Sequence, residues 1–179
     1  MGRRTRDEAR NILLDAAEKV IAAKGVLVVR PADVARRAGY SPGNLYTYFD
    51  SKTEMLEAVL DRACAHALES ATDLTAEEIV LRCVKMPRVV VAIGAVLISG
   101  SAESWEGTSN SKRLRTELAR RLVRDHSLDS ARADLAAIRT RNLLIGLRLT
   151  DPSPALTRSD ARRLLQWVAS TALPLRPPG

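Results

Sequence analysis

The sequence predicts an all-α protein of about nine helices, and three observations carry that prediction. Apolar residues recur at helical spacing through most of the chain. Aromatic residues make up only 3% of it, so the core is built from Leu, Val, Ile and Ala; Ala and Leu favour helices. The β-branched runs, such as Val26 to Val29, do not alternate with polar residues, so they give no strand signal.

The elements follow in order. Residues 1–6 read as a flexible basic arm carrying Arg3, Arg4 and Arg6. From Asp7 to Lys24, the residues Leu13, Ala16, Ala17, Val20 and Ile21 mark one helix face, and Gly25 stops the helix. Pro31 sits where a first helical residue is tolerated, and a short second helix runs to about Ala38 before Gly39. Ser41 is placed as an N-cap, with Pro42 at the first position of a short third helix reaching about Tyr48. Ser51 and Glu54 form a capping-box signal for a fourth helix, expected to continue to about residue 72. Thr75 and Glu78 repeat that signal at the start of the next segment. Further helices are expected over 76–85, 88–100, 110–125, 129–149 and 158–172, with loops at 101–109 and at Asp151 to Pro154. The tail at 174–179 is Pro-rich.

The expected domain organisation is therefore the arm at 1–6, a first domain at 7–63, a second at 75–173, and the tail. With 179 residues, 46% of them hydrophobic and 27% charged, the chain suits one medium domain or two small ones and is not disordered. Its formal net charge is +7 and its pI about 10.0. A basic balance suits a polyanionic partner, because phosphate contacts release counterions; an Arg-rich composition alone could also produce it. Cys64 and Cys83 are far apart and have no metal-ligand spacing. No apolar stretch follows the basic arm as a signal peptide would require. The longest apolar run, Val89 to Ile98, is about half a bilayer span. A soluble, cytoplasmic protein with no membrane partner, no cofactor and no metal is expected.

Function is carried by Val34-Ala35-Arg36-Arg37-Ala38-Gly39-Tyr40-Ser41-Pro42-Gly43-Asn44-Leu45-Tyr46. Val34 and Ala35 on one short helix and Leu45 on the next are placed to bury against each other, and Gly39 allows the sharp turn between them. Small residues at the start of the second helix let its N-terminus approach bases and phosphates closely. This is the pattern of a helix-turn-helix. The stretch from Asn11 to Ala63 resembles the DNA-binding domain of the TetR family of regulators. The resemblance rests on Leu14-Asp15-Ala16-Ala17, Lys24-Gly25, Asp33-Val34-Ala35, Ala38-Gly39, Ser41, Gly43-Asn44-Leu45-Tyr46-Thr47-Tyr48-Phe49, Ser51-Lys52 and Leu56. It covers about a third of the chain; the rest matches the family only in length, helicity and order.

The resemblance implies that Pro42, Gly43 and Asn44 face base edges in the major groove, where Asn pairs bidentately with adenine. It puts Thr47 and Tyr48 on the same side, and Tyr46 and Lys52 on backbone phosphates. Lys52 has an independent argument: a cation in a helix's first turn opposes the macrodipole, and a phosphate bound there would reconcile the two. Ser41, Tyr40 and Arg36 complete the expected DNA-contacting set, although Arg36 is equally readable as exposed helix charge. The chain departs from the family pattern in places. Arg30 has no side-chain oxygen to cap the second helix, Ala32 has no base-reading group, and Tyr40 replaces a small aliphatic residue.

For the second domain, the resemblance implies a homodimer on a palindromic operator, with the last two long helices pairing as a four-helix bundle. Ile138, Leu143, Ile145 and Leu149 on one helix, and Leu164, Trp167 and Val168 on the other, are the expected interface. The alternative is that these faces form only intramolecular core. Val90, Ile93, Leu97 and Trp105 are expected around the pocket of a small-molecule effector, with the same alternative. An enzyme is disfavoured: there is no Gly-rich phosphate loop, no paired His/Glu zinc spacing and no nucleophile elbow. The remaining alternatives are a protein-binding adaptor of the same fold and a non-specific DNA binder.

Overall fold

The computed structural model describes residues 5–69, 74–100, 108–151 and 155–172. Arg3, Arg4, Trp105, the centre of the expected 101–109 loop, Pro152 to Pro154 and the tail lie outside them. Among the described residues there are eight α-helices, one 3-10 helix and no strands. The chain divides into two compact units: residues 1–62 with 87–108, and residues 63–86 with 109–179.

The first unit opens with α1 (Arg6–Lys24). Thr5 Oγ1 accepts from Glu8 N at 3.2 Å, and Glu8 Oε2 accepts from Thr5 N at 2.8 Å. That capping box starts the helix at Arg6, so Arg6 is helical rather than part of an arm. Gly25 ends it with φ of 93° and donates to Ile21 O at 2.7 Å, a conformation a side chain would strain. The helix α2 (Pro31–Arg37) begins at Arg30 without a side-chain cap. Asp33 in its first turn replaces part of that lost stabilisation by opposing the helix dipole. Its carboxylate bonds Lys24 Nζ at 2.8 Å and Arg36 Nη1 at 3.2 Å. The hydrogen bond from Lys24 is the main reason the Asp33 pKa lies below its ordinary value.

Gly39 turns the chain with φ of 79°, and Tyr40 N donates back to Ala35 O at 2.9 Å, closing α2 in a Schellman-type turn. The third helix differs from expectation. It is a 3-10 helix over Pro42–Thr47, and Ser41 caps it through its carbonyl, which accepts from Asn44 N at 3.0 Å, with no side-chain bond. Six residues that begin Pro-Gly cannot repay the nucleation of an α-helix, and the tighter turn suits so short a piece. The fourth expected helix is α3 (Lys52–Ala67). It stops short of residue 72, because Leu68 N and Glu69 N turn to the i−3 carbonyls of Ala65 and His66, at 3.0 and 3.2 Å. Ser51 Oγ accepts from Glu54 N at 3.0 Å, while the Glu54 carboxylate reaches Asp50 N instead of Ser51 N.

Leu13, Ala17, Val34, Leu45, Phe49, Met55 and Val59 are fully buried in this unit. Arg62 fastens α3 to α1 through Asp15 at 2.8 Å and Glu18 at 2.6 Å. A further element, α5 (Arg88–Gly100), belongs here as well. The boundary expected between residues 63 and 75 therefore does not describe the packing, because the apolar α5 lies against α1.

The second unit contains α4 (Ala76–Val84), α6 (Ser109–His126), α7 (Ser130–Thr150) and α8 (Arg158–Thr171). The Thr75/Glu78 capping box starts α4 as the sequence signals. Asp129 Oδ1 caps α7 by accepting from Arg132 N at 2.9 Å, and Thr157 caps α8 together with Asp160. The core joins Ile79, Val80, Leu118, Leu122, Leu144, Leu165 and Val168 with a set of alanines. Alanines at Ala133, Ala136, Ala137 and Ala161 let these helices approach closely. No described helix is long and apolar enough to cross a membrane.

Candidate nucleic-acid interface

The 3-10 helix presents two different faces. Leu45 is fully buried beneath it, and Phe49 just after it is likewise buried. These two side chains anchor the element, which packs against α2, so Phe49 serves as core. Ser41, Pro42, Gly43, Tyr46 and Thr47 are exposed, and Asn44, Tyr40 and Tyr48 are half-buried. Tyr46 keeps 56% of its surface open. A Cβ built on Gly43 would meet nothing within 4 Å, and its φ is not in the left-handed region. The chain's own packing therefore does not require glycine at this position.

The residues expected to contact DNA are thus brought to one short exposed element and its flanks. The rings of Tyr40 and Tyr48 lie 6.2 Å apart at 58°, so each restrains the other across the base of the element. Arg36 is exposed and already paired with Asp33. Lys52 has a partner that sequence reasoning did not anticipate. Its Nζ donates to Leu27 O at 3.0 Å, in the turn between α1 and α2. An ammonium carries three hydrogens, so this bond leaves donors for a second acceptor.

Sequence reasoning also missed two residues on α1. Arg6 Nη2 donates to Thr47 O at 3.3 Å, and Arg10 Nη1 donates to Tyr48 O at 2.5 Å. These are carbonyls at the end of the 3-10 helix, where backbone acceptors lack intrahelical donors. Arg10 also lies 4.3 Å over the Phe49 ring and 3.5 Å from Glu54. One side chain therefore ties α1, the 3-10 helix and α3 together. The available signal was the i, i+4 spacing of Arg6 and Arg10, which puts both on one face of α1.

Elsewhere, the expected interface residues are spread between surface and core. Trp167 is 57% exposed, and Leu143 and Leu149 are also exposed. Ile138, Ile145 and Leu164 are half-buried. Val168 corrects the expectation: it is fully buried in its own chain's cluster and supports that face from behind. Val90, Ile93 and Leu97 are buried on α5 and serve as core of the first unit. Arg121 is a buried helix arginine. It is 5% exposed, with Nε donating to Leu74 O at 2.7 Å and Nη1 bound to Glu117. Among the described residues there is no cluster of His, Cys, Asp and Glu able to hold a metal ion.

Comparisons with known proteins point the same way. The family model described as bacterial regulatory proteins, tetR family, matches residues 13–59. The chain is 38% identical over 64 residues to the HTH-type transcriptional regulator TtgR of Pseudomonas putida, covering 34% of this chain and 30% of that protein. The chain thus matches under a third of that relative's length. It is 28% identical over 169 residues to the HTH-type transcriptional regulator BetI of Rhizobium meliloti, covering 90% of this chain and 72% of BetI. Among solved structures, BioQ with its double-stranded DNA operator has a TM-score of 0.64 at 21% identity, covering 90% of this chain and 98% of that one, and so shares the fold. Over residues 13–59, which hold the helix-turn-helix, this chain is thus similar to the tetR family of bacterial regulatory proteins.

Proposed function

We propose that this chain is a transcription regulator that binds double-stranded DNA through the element Pro42–Thr47, represses as a homodimer on a palindromic operator, and is released by a small-molecule effector. The observation that carries the DNA reading is Gly43. It stands at the start of an exposed helix, at a place where the chain itself leaves room for a side chain. Close approach by an outside backbone explains a glycine there. The names of the relatives and the net charge of +7 support the same reading. In it, Asn44 and Thr47 read base edges, while Tyr46 and Lys52 hold phosphates.

A single helix-turn-helix reads few base pairs, so useful specificity calls for two copies. The exposed apolar residues Trp167, Leu143 and Leu149 support a face for a second copy, since Trp is enriched at interface hot spots. Effector control would run through α3, whose residues belong to both units. Its size is bounded by the effector's differential affinity for the two states.

The test is fluorescence anisotropy on the DNA upstream of the gene, beside a scrambled duplex, at physiological salt. Wild type binds the native duplex tightly and the scrambled one weakly. Gly43→Leu keeps its melting temperature and loses specific binding. The Tyr46→Ala/Lys52→Ala double variant loses affinity on both duplexes and shows a shallower salt dependence. Unchanged binding by all variants would refute the assignment of this element, and equal binding to both duplexes would leave a non-specific DNA binder.

A further inference from the structure

In the first unit, the turn between α1 and α2 carries four apolar residues in a row, Val26-Leu27-Val28-Val29. Gly25, with φ of 93°, swings the chain out of α1. Val26 and Val29 are buried and fix the turn at both ends. Leu27 and Val28 between them stand out of the fold, with 76% and 62% of their surface open. Turns ordinarily carry Gly, Pro, Asn, Asp or Ser at such positions. The chain's own packing does not call for two aliphatic side chains there.

The surroundings of this tip are cationic. Lys52 Nζ donates to the Leu27 carbonyl at 3.0 Å, so its ammonium lies against the backbone of the turn. Arg30 is exposed two residues after Val28. Among the described residues of the first unit, the other exposed large apolar side chain is Tyr46, which stands on the element Pro42–Thr47. An apolar tip set against an ammonium suits a partner that offers negative charge and C–H surface side by side. The DNA backbone has that alternation, since each phosphate is flanked by deoxyribose rings with apolar C–H faces. Two aliphatic side chains laid on those faces remove apolar area from water, and the gain does not depend on the base.

We propose that Leu27 and Val28 form an apolar contact with the deoxyribose rings next to the phosphate that Lys52 holds. The contact rests on the DNA reading of Lys52 given above and adds a second element, the α1–α2 turn, to the proposed interface.

The experiment measures anisotropy with the full-length chain on the upstream duplex and on a scrambled one, over a range of salt and temperature. Leu27→Ser/Val28→Ser keeps the backbone carbonyl that anchors Lys52, and it melts as wild type does because both side chains are already exposed. Its affinity falls about tenfold on both duplexes. No charge is removed, so the slope of log affinity against log salt stays as in wild type, whereas Lys52→Ala lowers it by about one. The heat-capacity change of binding becomes less negative. Leu27→Met/Val28→Ile, which keeps the apolar surface, binds as wild type does. Wild-type affinity in the Ser variant, with Lys52→Ala weakened, overturns the contact and leaves the DNA reading intact. A Ser variant whose salt slope falls as in Lys52→Ala also overturns it, since the turn would then only hold the ammonium. A loss seen only on duplexes long enough to seat several copies assigns the tip to contacts between protein copies and overturns the sugar contact. Unchanged binding by the Ser variant, Lys52→Ala and Tyr46→Ala alike refutes the DNA reading and the contact with it.

Discussion

Arg10 makes the sharpest test of how the proposed DNA-contacting element is held. Replacing it with Met keeps the aliphatic stem and removes the guanidinium. Three interactions go. A charge-assisted bond to the Tyr48 carbonyl contributes about 1 kcal/mol at a half-buried site. The stacking over Phe49 at 4.3 Å contributes about 0.5 kcal/mol. The 3.5 Å pair with Glu54, largely solvated, adds about 0.3 kcal/mol. The sum of about 2 kcal/mol lowers the melting temperature by roughly 4–8 °C in a chain of this size. It also frees the end of the 3-10 helix, so DNA affinity falls about tenfold, or about 1.4 kcal/mol. Thermal unfolding and anisotropy over a range of salt concentrations measure both effects. Because Arg10 acts through the backbone of Tyr48, the slope of log affinity against log salt stays as in wild type. A slope reduced by about one, with an unchanged melting temperature, would show that Arg10 binds a phosphate instead and refute the positioning role.

Two further outcomes are expected. If the proposed dimer forms through this face, wild type sediments as a dimer at micromolar concentration and Trp167→Glu as a monomer with helicity retained, since Trp167 is exposed in the single chain; a monomeric wild type or a variant that stays dimeric would refute that face. Burial pushes the Glu117 carboxyl up, but the hydrogen bond from Arg121 and the charges of Arg120 and Arg121 outweigh it and hold the pKa below the ordinary 4.5. The pair therefore stabilises the fold above that ordinary value, and its contribution is lost as pH falls through the depressed one. Glu117→Gln leaves the buried Arg121 without its carboxylate and costs about 2 kcal/mol at pH 7. In urea unfolding the two proteins converge as the solution is made more acidic than the native Glu117 pKa; a constant gap between them would sink the pairing argument.

How much was legible depended on how local each signal was. Helix limits set by Gly25, Pro31, Gly39, Thr75 and Glu78 follow from backbone geometry within four residues, so they could be read in advance. The exposure of Tyr46 and the burial of Leu45 and Phe49 likewise follow from the helix-turn-helix pattern. The 3-10 form of Pro42–Thr47 was less accessible, since its sequence satisfies the start of an α-helix as well. Val168 was misplaced because periodicity shows that a helix has a face, but not which neighbour covers it.

The sequence by itself determined the helical class, the order of the helices and the helix-turn-helix with its candidate contact residues. Each of these rests on periodicity, capping or turn chemistry close along the chain. Tertiary structure alone decided the grouping of α5 with α1, the attachment of Arg6 and Arg10 to carbonyls about forty residues away and the bond from Lys52 to Leu27 O. These are long-range pairings of long side chains. Their partners are backbone carbonyls, which every residue carries. Composition and spacing do not encode them, so the folded chain had to bring the groups together before they could be seen.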